Sequence, residues 1–281
     1  MKILIIGGTS NLAIALKKGL ASFGEVITAG RKDCDIEVDI SRPESLVLPE
    51  GLDVVINTAA HFGGKEDQEI FKAEAVNVLG SLSICQAAHS AGVKQVVLIS
   101  SVFAALTSEA PNYSIYALSK RHAEELAAFY CSARNLPLAI LRPSQLYGNG
   151  EGFRKHQPFF YTIADKAEKG EDIVLYGSND PHRNYLHVED LVSIVREVIK
   201  QKIEGVFTCS YPTDVTYSQV IQAAYAAFGT NGKLSFLKDK PDIPDFTIDK
   251  DEALYRKIGF FPAINIEAGM KRLAAARISN K

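Results

Sequence analysis

The chain has 281 residues, a length that suits one large α/β unit with a smaller lobe better than two unrelated domains. Hydrophobic residues make up 47% and charged residues 23% of it, which excludes a disordered chain and a fibrous repeat. Its formal net charge of -2 provides no basic field, so we expect neither nucleic acid nor a membrane surface among its partners.

The opening apolar segment and the spacing of the cysteines indicate the cellular compartment of the protein. Lys2–Ile6 meets a pair of glycines too early to form a membrane-spanning helix, and no cleavage site of a signal peptide follows it. No Cys-x-x-Cys pair occurs, a spacing that favours reduced thiols over a zinc site or a disulfide framework. The four scattered cysteines are Cys34, Cys85, Cys131 and Cys209. We therefore expect a cytoplasmic protein without a metal.

Short apolar segments alternate with longer amphipathic segments through the first two thirds of the chain. The predicted strands are Lys2–Ile6, Glu25–Ala29, Asp53–Asn57, Gln95–Ser100, Leu138–Arg142 and Val206–Cys209. The predicted helices are Asn11–Phe23, Gln68–Ala91, Ile115–Arg134, Glu189–Gln201, Ser218–Phe228 and Ile266–Ala276. This alternation predicts an α/β fold with a doubly wound parallel sheet that is covered by helices on both faces.

The last third of the chain differs in character, because prolines interrupt short polar stretches there. These prolines are Pro241, Pro244 and Pro262. We predict a first domain at residues 1–148, to which 184–210 returns, and a small C-terminal lobe formed mainly by 149–281. The lobe is expected to bind the substrate.

The first strand runs into a glycine turn followed by a helix, the context in which a Rossmann-type domain binds a dinucleotide. A glycine at the strand end permits a sharp turn, and the helix presents free N–H groups to a pyrophosphate. The predicted cofactor contacts in this turn are Gly7, Thr9, Ser10, Asn11 and Leu12. Ser10 and Ala13 replace the second and third glycines of the usual pattern, and a plain βα loop is the alternative interpretation.

Basic residues follow the second strand, where an NAD site usually has a carboxylate. Arg31 and Lys32 are suited to the 2′-phosphate of NADP(H), although a solvated pair is the alternative. Asp39, with Ile40 beside it, follows a short third strand, and its carboxylate could accept a hydrogen bond from the adenine amino group. A turn residue is the alternative for Asp39.

The candidate catalytic residues are Ser101, Tyr116 and Lys120. The four-residue spacing of Tyr116 and Lys120 places a phenol and an ammonium on one helix face, where the cation is expected to lower the pKa of the phenol. Lys120 can also donate to the ribose of a cofactor. Ser101 ends a buried strand and could polarise a carbonyl. A half-exposed amphipathic helix and a simple strand end are the alternatives.

These residues, with four further segments, resemble the extended short-chain dehydrogenase/reductases, which comprise NAD(P)-dependent nucleotide-sugar epimerases, dehydratases and reductases. The four segments are Asp53–Ala60, Asn77–Gly80, Leu141–Gly148 and Arg183–Asp190. The resemblance implies that Ala59 and Ala60 line the cofactor cleft and that Pro143 and Ser144 pass near the nicotinamide. It also implies that Arg183 contacts the diphosphate of the substrate. His187, at a predicted helix start, is interpreted as structural.

The resemblance also restricts the reaction. Dehydratases of the family carry an Asp-Glu pair after the catalytic serine or threonine, and this chain has Val102 and Phe103 there. Reduction and 4-epimerisation remain, because both need only Ser101, Tyr116 and Lys120. Arg31 favours NADP(H) over NAD(H), and hence an NADP(H)-dependent reductase of a 4-keto deoxysugar carried on a nucleotide diphosphate. An NAD-dependent 4-epimerase and a non-catalytic NADP-sensing module are the alternatives.

Relatives in this family often pair through two long helices. Gln68–Ala91 and Ile115–Arg134 are the candidates here, so we expect a homodimer.

Overall fold

A computed structural model describes residues 1–42 and 46–279. The strands, in chain order, are β1 (Lys2–Ile6), β2 (Glu25–Gly30), β3 (Ile36–Glu37), β4 (Val54–Asn57), β5 (Gln95–Ile99), β6 (Leu138–Pro143), β7 (Gln145–Tyr147), β8 (Ile173–Tyr176), β9 (His182–Arg183), β10 (Tyr185–His187), β11 (Gly205–Cys209), β12 (Val215–Thr216) and β13 (Leu234–Leu237). The α-helices are α1 (Asn11–Leu20), α2 (Asp67–Ala73), α3 (Gly80–Ser90), α4 (Ile115–Ser132), α5 (Pro158–Lys169), α6 (Val188–Lys200), α7 (Tyr217–Phe228), α8 (Ala253–Ile258) and α9 (Ile266–Ser279).

The chain divides into two compact units. Unit 1 consists of Met1–Pro143, Val192–Cys209 and Asp251–Phe260, and unit 2 of Ser144–Leu191, Ser210–Lys250 and Phe261–Lys281. The first boundary thus follows Pro143, where the sequence predicted residue 148, and the returning segments include α8 as well as most of the predicted 184–210. Residues 280 and 281 of the predicted lobe lie outside the described residues.

Unit 1 is built on a seven-stranded sheet in the order β11-β6-β5-β4-β1-β2-β3, with every neighbouring pair parallel. The predicted doubly wound parallel sheet is therefore confirmed. Ile6 at the end of β1 is in register with Ala29 on β2 and Asn57 on β4. Because the strands end level with one another, the loops that follow them emerge along one edge of the sheet, where ligands bind in such folds.

Burial along the strands shows that both faces of this sheet are covered. Side chains of successive strand residues point to opposite faces, and the four residues from Ile3 to Ile6 are all buried. On one face, Leu4 packs in a cluster with Ile84 of α3 and Ala127 of α4. Helices α1 and α6 meet closely, since a Cβ placed on Gly19 would lie 2.2 Å from Cγ1 of Val192.

The predicted helix Gln68–Ala91 is interrupted in the structure. Helix α2 ends at Ala73, a π-helical turn spans Glu74–Leu79, and α3 begins at Gly80. Such turns are frequent at functional sites. This one contains Asn77, whose side chain is buried and hydrogen-bonded to residues beside the candidate active site. Because the apolar periodicity continues through the turn, this interruption could not be predicted from the sequence.

Unit 2 contains three two-stranded sheets, in which β7 pairs with β10, β8 with β13 and β9 with β12. Helix α7 packs against both α5 and α9. Arg277 of α9 binds Glu168 and Asp165 of α5 at 2.9 Å each, which ties the last helix to this unit. These short strands could not be predicted from the sequence, because their partners are distant in the chain.

Gly269 of α9 offers a test of packing in unit 2. A Cβ at this position would lie 2.0 Å from Oη of the buried Tyr147, so we expect Gly269→Ala to destabilise the protein by about 1–3 kcal/mol. Helix propensity alone would favour alanine by about 1 kcal/mol. The sign of the change in the free energy of unfolding therefore distinguishes a steric clash from helix propensity. Gly150→Ala is the control, because no atom lies within 4 Å of its added Cβ. Urea unfolding measures both, and equal stability of the two variants would contradict the packing described.

Candidate active site

The turn after β1 is held against the neighbouring strands. The backbone N–H groups of Gly7 and Gly8 both donate to the Ala29 carbonyl, at 2.9 and 3.0 Å. Gly7 has φ +82, and a Cβ there would lie 2.8 Å from the backbone nitrogen of Ala59. Only glycine fits this position without strain. Two of the predicted cofactor residues, Gly7 and Ala59, are thereby brought into contact.

Ser10 takes the place of a glycine and acts as the N-cap of α1. Its hydroxyl accepts a hydrogen bond from the Ala13 backbone at 3.1 Å and lies 3.1 Å from the hydroxyl of Thr58. The side chain is therefore engaged with the helix and with the loop after β4. Among the other predicted residues of this turn, Thr9 is exposed, Asn11 is half-buried and the Leu12 side chain lies in the core. Leu12 thus has only its backbone to offer to a phosphate.

The loop after β2 carries exposed cations. Arg31 and Lys32 are both exposed, and within residues 1–42 and 46–279 neither forms a hydrogen bond or an ion pair. The thiol of Cys34 packs under this loop, 2.9 Å from where a Cβ would stand on either Gly8 or Gly30. An unpaired guanidinium and ammonium beside a glycine turn and a capped helix start form a donor set that fits a phosphorylated dinucleotide.

Asp39 and Ile40, which were predicted to lie at the adenine, have different surroundings in the structure. The carboxylate of Asp39 accepts hydrogen bonds from the backbone and hydroxyl of Ser41, at 3.1 and 2.7 Å. These bonds lower the pKa of Asp39, and the charge of Arg31 contributes a smaller part. Ile40 is buried in the core against Gly80, so its side chain belongs to the packing of unit 1.

The loop after β4 continues the same edge of the sheet. The Thr58 N–H donates to the Ile6 carbonyl at 2.9 Å, and the Ala59 N–H donates to the side chain of Asn57 at 3.0 Å. Ala59 is half-buried and Ala60 is exposed. Ala59 therefore lies beside the Gly7 turn, and Ala60 follows it at the surface.

Ser101, Tyr116 and Lys120 come together at the end of β5. Ser101 is the second residue after the strand and hydrogen-bonds the Tyr116 hydroxyl. Ser114 caps α4, which places Tyr116 in the first turn and Lys120 in the next. The Lys120 ammonium lies 6.0 Å from the centroid of the Tyr116 ring and donates to the Ile99 carbonyl at 2.9 Å.

Desolvation sets the protonation of this pair, of which Lys120 is buried and Tyr116 is half-buried by its accessible surface. It raises the pKa of Tyr116 to about 12, although the hydrogen bond with Ser101 opposes the shift. It lowers the pKa of Lys120 to about 8, opposed by the charge of Glu124. The expectation that Lys120 lowers the pKa of the phenol is therefore wrong for this structure, because desolvation dominates and the ammonium is directed to Ile99. At neutral pH the phenol keeps its proton.

Two aromatic rings that the sequence analysis did not assign to the site flank Tyr116. The ring of Phe62 stacks on it with centroids 4.6 Å apart and planes at 16°, and Phe103 meets it edge-on at 6.2 Å. The backbone of His61 exchanges two hydrogen bonds with the Asn77 side chain, at 2.7 and 2.8 Å, which fixes the loop that carries Phe62. The only available signal was the position of Phe62 shortly after Ala59 and Ala60.

Pro143 and Ser144 lie at the end of β6. Pro143 is in register with Cys209 of β11 and belongs to unit 1. Ser144 belongs to unit 2 and is buried, and its hydroxyl has no hydrogen-bond partner in the part of the chain that the structure describes. A buried hydroxyl without a partner is uncommon and is compatible with a ligand contact.

Arg183 is buried in unit 2, where its guanidinium donates hydrogen bonds to neighbouring residues. Its Nε donates to the Tyr217 hydroxyl at 3.0 Å, and its Nη1 donates to the carbonyls of His182 and Pro244 at 2.7 and 2.9 Å. These bonds leave Nη2 for another acceptor. His187, whose pKa burial lowers to about 4, is neutral and bonded to Asn149 at 2.9 Å.

A groove of about 380 Å³ lies within unit 2. It is lined by Phe159, Thr162, Ile163, Lys166, Ile173, Val174, Tyr176 and Leu237. The Tyr176 side chain is 55% exposed, so a flat ring and a cation border the same concave surface.

The described residues contain neither a membrane-spanning helix nor a metal cluster. No helix in residues 1–42 and 46–279 has the length and apolar character needed to cross a membrane. The same residues contain no group of three or more His, Cys, Asp or Glu side chains placed to hold a metal ion.

The chain is similar in sequence or in fold to several known proteins. GDP-L-fucose synthase of Escherichia coli is 22% identical over 303 residues, covering 96% of this chain and 94% of that protein. A dTDP-4-dehydro-6-deoxy-D-allose reductase of a Streptomyces species is 33% identical over 78 residues, covering 27% of this chain and 24% of that protein. The crystal structure of UDP-N-acetylglucosamine 4-epimerase from Bacillus cereus has the same fold, with a TM-score of 0.79, 20% identity and coverage of 98% and 96%.

The pattern of the NAD dependent epimerase/dehydratase family matches residues 3–208. This span includes the Gly7 turn, the Ser101–Tyr116–Lys120 cluster and Arg183. The chain belongs to this family, the extended short-chain dehydrogenase/reductases that act on nucleotide sugars with NAD(P), and is an enzyme of the oxidoreductase and epimerase type.

Proposed function

We propose that the protein reduces a 4-keto deoxysugar carried on a nucleotide diphosphate, with NADP(H) as the hydride source. The observation that carries this proposal is the cluster of Ser101, Tyr116 and Lys120, in which Ser101 hydrogen-bonds Tyr116, Lys120 lies beside the Tyr116 ring, and Tyr116 keeps its proton at neutral pH. Reduction of a ketone requires a proton donor at the oxygen, and a phenol with a pKa of about 12 holds that proton until negative charge develops nearby.

The three side chains have separate roles in this proposal. Tyr116 donates its hydroxyl proton to the carbonyl oxygen of the sugar as that oxygen gains charge. Ser101 hydrogen-bonds the same oxygen and orients it. The Lys120 ammonium, which lies beside the Tyr116 ring, would donate to the ribose hydroxyls of the bound cofactor. NADPH supplies the hydride when bound, and the protein's contribution is to position the reactants and to stabilise the developing charge.

The residues that follow Ser101 support reduction over dehydration. Val102 is buried and Phe103 packs edge-on against Tyr116, so neither position offers the acid or base that loss of water requires. The short likeness to a 4-dehydro-6-deoxy sugar reductase supports the same class of substrate.

The cofactor preference rests on the loop after β2. Arg31 and Lys32 are exposed and unpaired in the described ranges, which favours a ligand that carries an additional phosphate. We therefore propose NADP(H) as the preferred cofactor, bound by the Gly7 turn, Arg31 and Lys32, with Ala59, Ala60, Pro143 and Ser144 nearer the nicotinamide.

The proposed substrate contacts in unit 2 are Arg183 and the groove. The free Nη2 of Arg183 is available for a diphosphate oxygen. The groove offers the exposed ring of Tyr176 for stacking on a nucleobase and the ammonium of Lys166 for a phosphate.

NAD-dependent 4-epimerisation is the second candidate, and the full-length likeness to a 4-epimerase structure favours it. An epimerase needs no residue beyond the same three and recycles its cofactor. It would retain NAD through purification and interconvert nucleotide sugars without added reductant, whereas the reductase consumes NADPH. A module that only senses NADP has no use for a buried lysine beside a tyrosine.

We also propose a homodimer in the cytoplasm. Exposed apolar side chains lie on the predicted pairing helices, where Phe129 of α4 is 74% exposed and Leu79 is 48% exposed. A concave surface of about 470 Å³ beside Phe129 is lined by Val78, His122, Glu125 and Leu126. Apolar surface of this kind on a protein of ordinary composition marks an interaction site. The four free cysteines support a reducing compartment.

Tyr116→Phe tests the assignment of the proton donor. The variant retains the ring and its stacking on Phe62 but has no hydroxyl, so we expect kcat for a nucleotide-linked 4-keto sugar to fall by about 10²–10⁴-fold. NADPH affinity, measured by fluorescence titration, should stay within about twofold. Tyr113→Phe, just before α4, is the matched control and should retain full turnover. Unchanged kcat in Tyr116→Phe would show that another group is the acid.

Arg31→Ala tests the cofactor preference. Loss of a guanidinium that binds the 2′-phosphate should weaken NADPH binding by about tenfold or more while NADH binding changes little. The ratio of kcat/KM for the two cofactors measures the effect. Lys17→Ala, which removes an exposed cation of α1 that is paired with Asp35, controls for the general loss of positive charge. An equal loss for NADH and NADPH would remove the argument for NADP(H).

Phe129→Glu tests the proposed dimer. A carboxylate in the middle of an apolar interface should convert the dimer to a monomer, which light scattering of the purified protein detects. Phe261→Glu, at an exposed aromatic residue of unit 2, is the control and should leave the mass unchanged. A monomeric parent protein would refute the proposal directly.

A further inference from the structure

A buried carboxylate stands next to the candidate catalytic pair. Glu124 lies one helical turn after Lys120 on α4, and its side chain is 5% exposed. Nε of Arg142 on β6 donates to its two oxygens at 2.9 and 3.0 Å, and the Ser100 hydroxyl donates to Oε1. Burying a carboxylate to this degree is unfavourable unless it is paired, and here it has two partners.

Glu124 is linked to both halves of the active site. Ser100, which it binds, stands between Ile99, whose carbonyl receives the Lys120 ammonium, and Ser101, which hydrogen-bonds Tyr116. A displacement of Ser100 would therefore move the acceptor of the lysine and the partner of the phenol together.

Glu124 also acts on the charge of Lys120. Lys120 is 3% exposed, and the acceptor of its hydrogen bond is a neutral carbonyl. The charged and titratable groups around it are Tyr116 and Glu124 on its own helix and Arg142 on β6. Of these, Glu124 is the acidic group; its charge favours the ammonium form of Lys120, and it forms an ion pair with Arg142.

We propose that Glu124 is a positioning residue, which keeps Lys120 in its ammonium form and fixes the end of β5 through Ser100. The proposal rests on the proposed function, because it assigns Glu124 a role in supporting the same catalytic pair. It predicts that Glu124 and Arg142 shift the titration of Lys120 in opposite directions, which a merely structural ion pair would not do.

The pH profile of kcat/KM tests the electrostatic part. Lys120 loses its proton as pH rises, so activity should fall above about pH 8 in the parent enzyme. Glu124→Gln removes the negative charge and should move this alkaline limb down by about one pH unit or more. Arg142→Gln removes the opposing cation and should move it up. Glu204→Gln, at an exposed glutamate of unit 1, should leave it in place.

Ser100→Ala separates positioning from charge. It removes the hydrogen bond to Glu124 but no charge, so kcat should fall while the alkaline limb stays where it is. Glu124→Gln retains an oxygen that can accept the hydrogen bond from Ser100. Its main effect should therefore be on the position of the alkaline limb of the pH profile. An unchanged kcat in Ser100→Ala would overturn the positioning part of the proposal.

A second readout does not depend on turnover. In protein labelled with ¹³C at the lysine Cε, the Lys120 resonance can be assigned by its loss in Lys120→Arg and then titrated in each variant. Absence of turnover with every keto sugar would refute the proposed function, and this titration would still test Glu124. The proposal is overturned if Glu124→Gln and Arg142→Gln leave the midpoint unchanged or shift it in the same direction. If Glu124→Gln does not fold, the Arg142→Gln variant alone decides. An upward shift of the Lys120 midpoint in that variant supports the proposal, and an unchanged or lower midpoint overturns it.

Discussion

The hydrogen bond from the buried Lys120 ammonium to the Ile99 carbonyl is the contact on which the site depends. It fixes α4 against the end of β5 and thereby sets the distance between Tyr116 and Ser101. A lysine in so dry a place has to be compensated, and the structure provides the carbonyl in direct contact and the Glu124 carboxylate one turn away. The contacts that set the catalytic geometry are therefore the same contacts that stabilise the buried charge of Lys120.

In this environment the pKa of Tyr116 is raised, so the phenol is a weaker acid than a tyrosine in water. Desolvation raises its pKa, so the phenol releases its proton only when an oxygen with developing negative charge is close enough to take it. The ring of Phe62 stacks on that of Tyr116, and the Asn77 side chain in the π-helical turn holds the loop that carries Phe62. An acid of this kind serves reduction, in which the proton moves to the sugar.

The sequence predicted most of unit 1, because its strands are consecutive, apolar and separated by amphipathic helices. The chemistry-bearing residues Gly7, Ser101, Tyr116 and Lys120 could be selected from their positions after strands and from helical spacing. Burial could not be predicted in the same way: the pKa of Tyr116 follows from how many atoms surround it, and spacing carries no such information. Phe62, Asn77 and Glu124 were missed because their roles arise from contacts between separate elements, as do the short strand pairs of unit 2.

The most direct test of the account uses NADPH that carries deuterium at the transferable C4 position, together with a nucleotide-linked 4-keto deoxysugar. The account predicts that NADPH is oxidised and that one deuterium per product appears on the reduced sugar carbon. Recovery of an interconverted nucleotide sugar without deuterium and without oxidation of NADPH would contradict it.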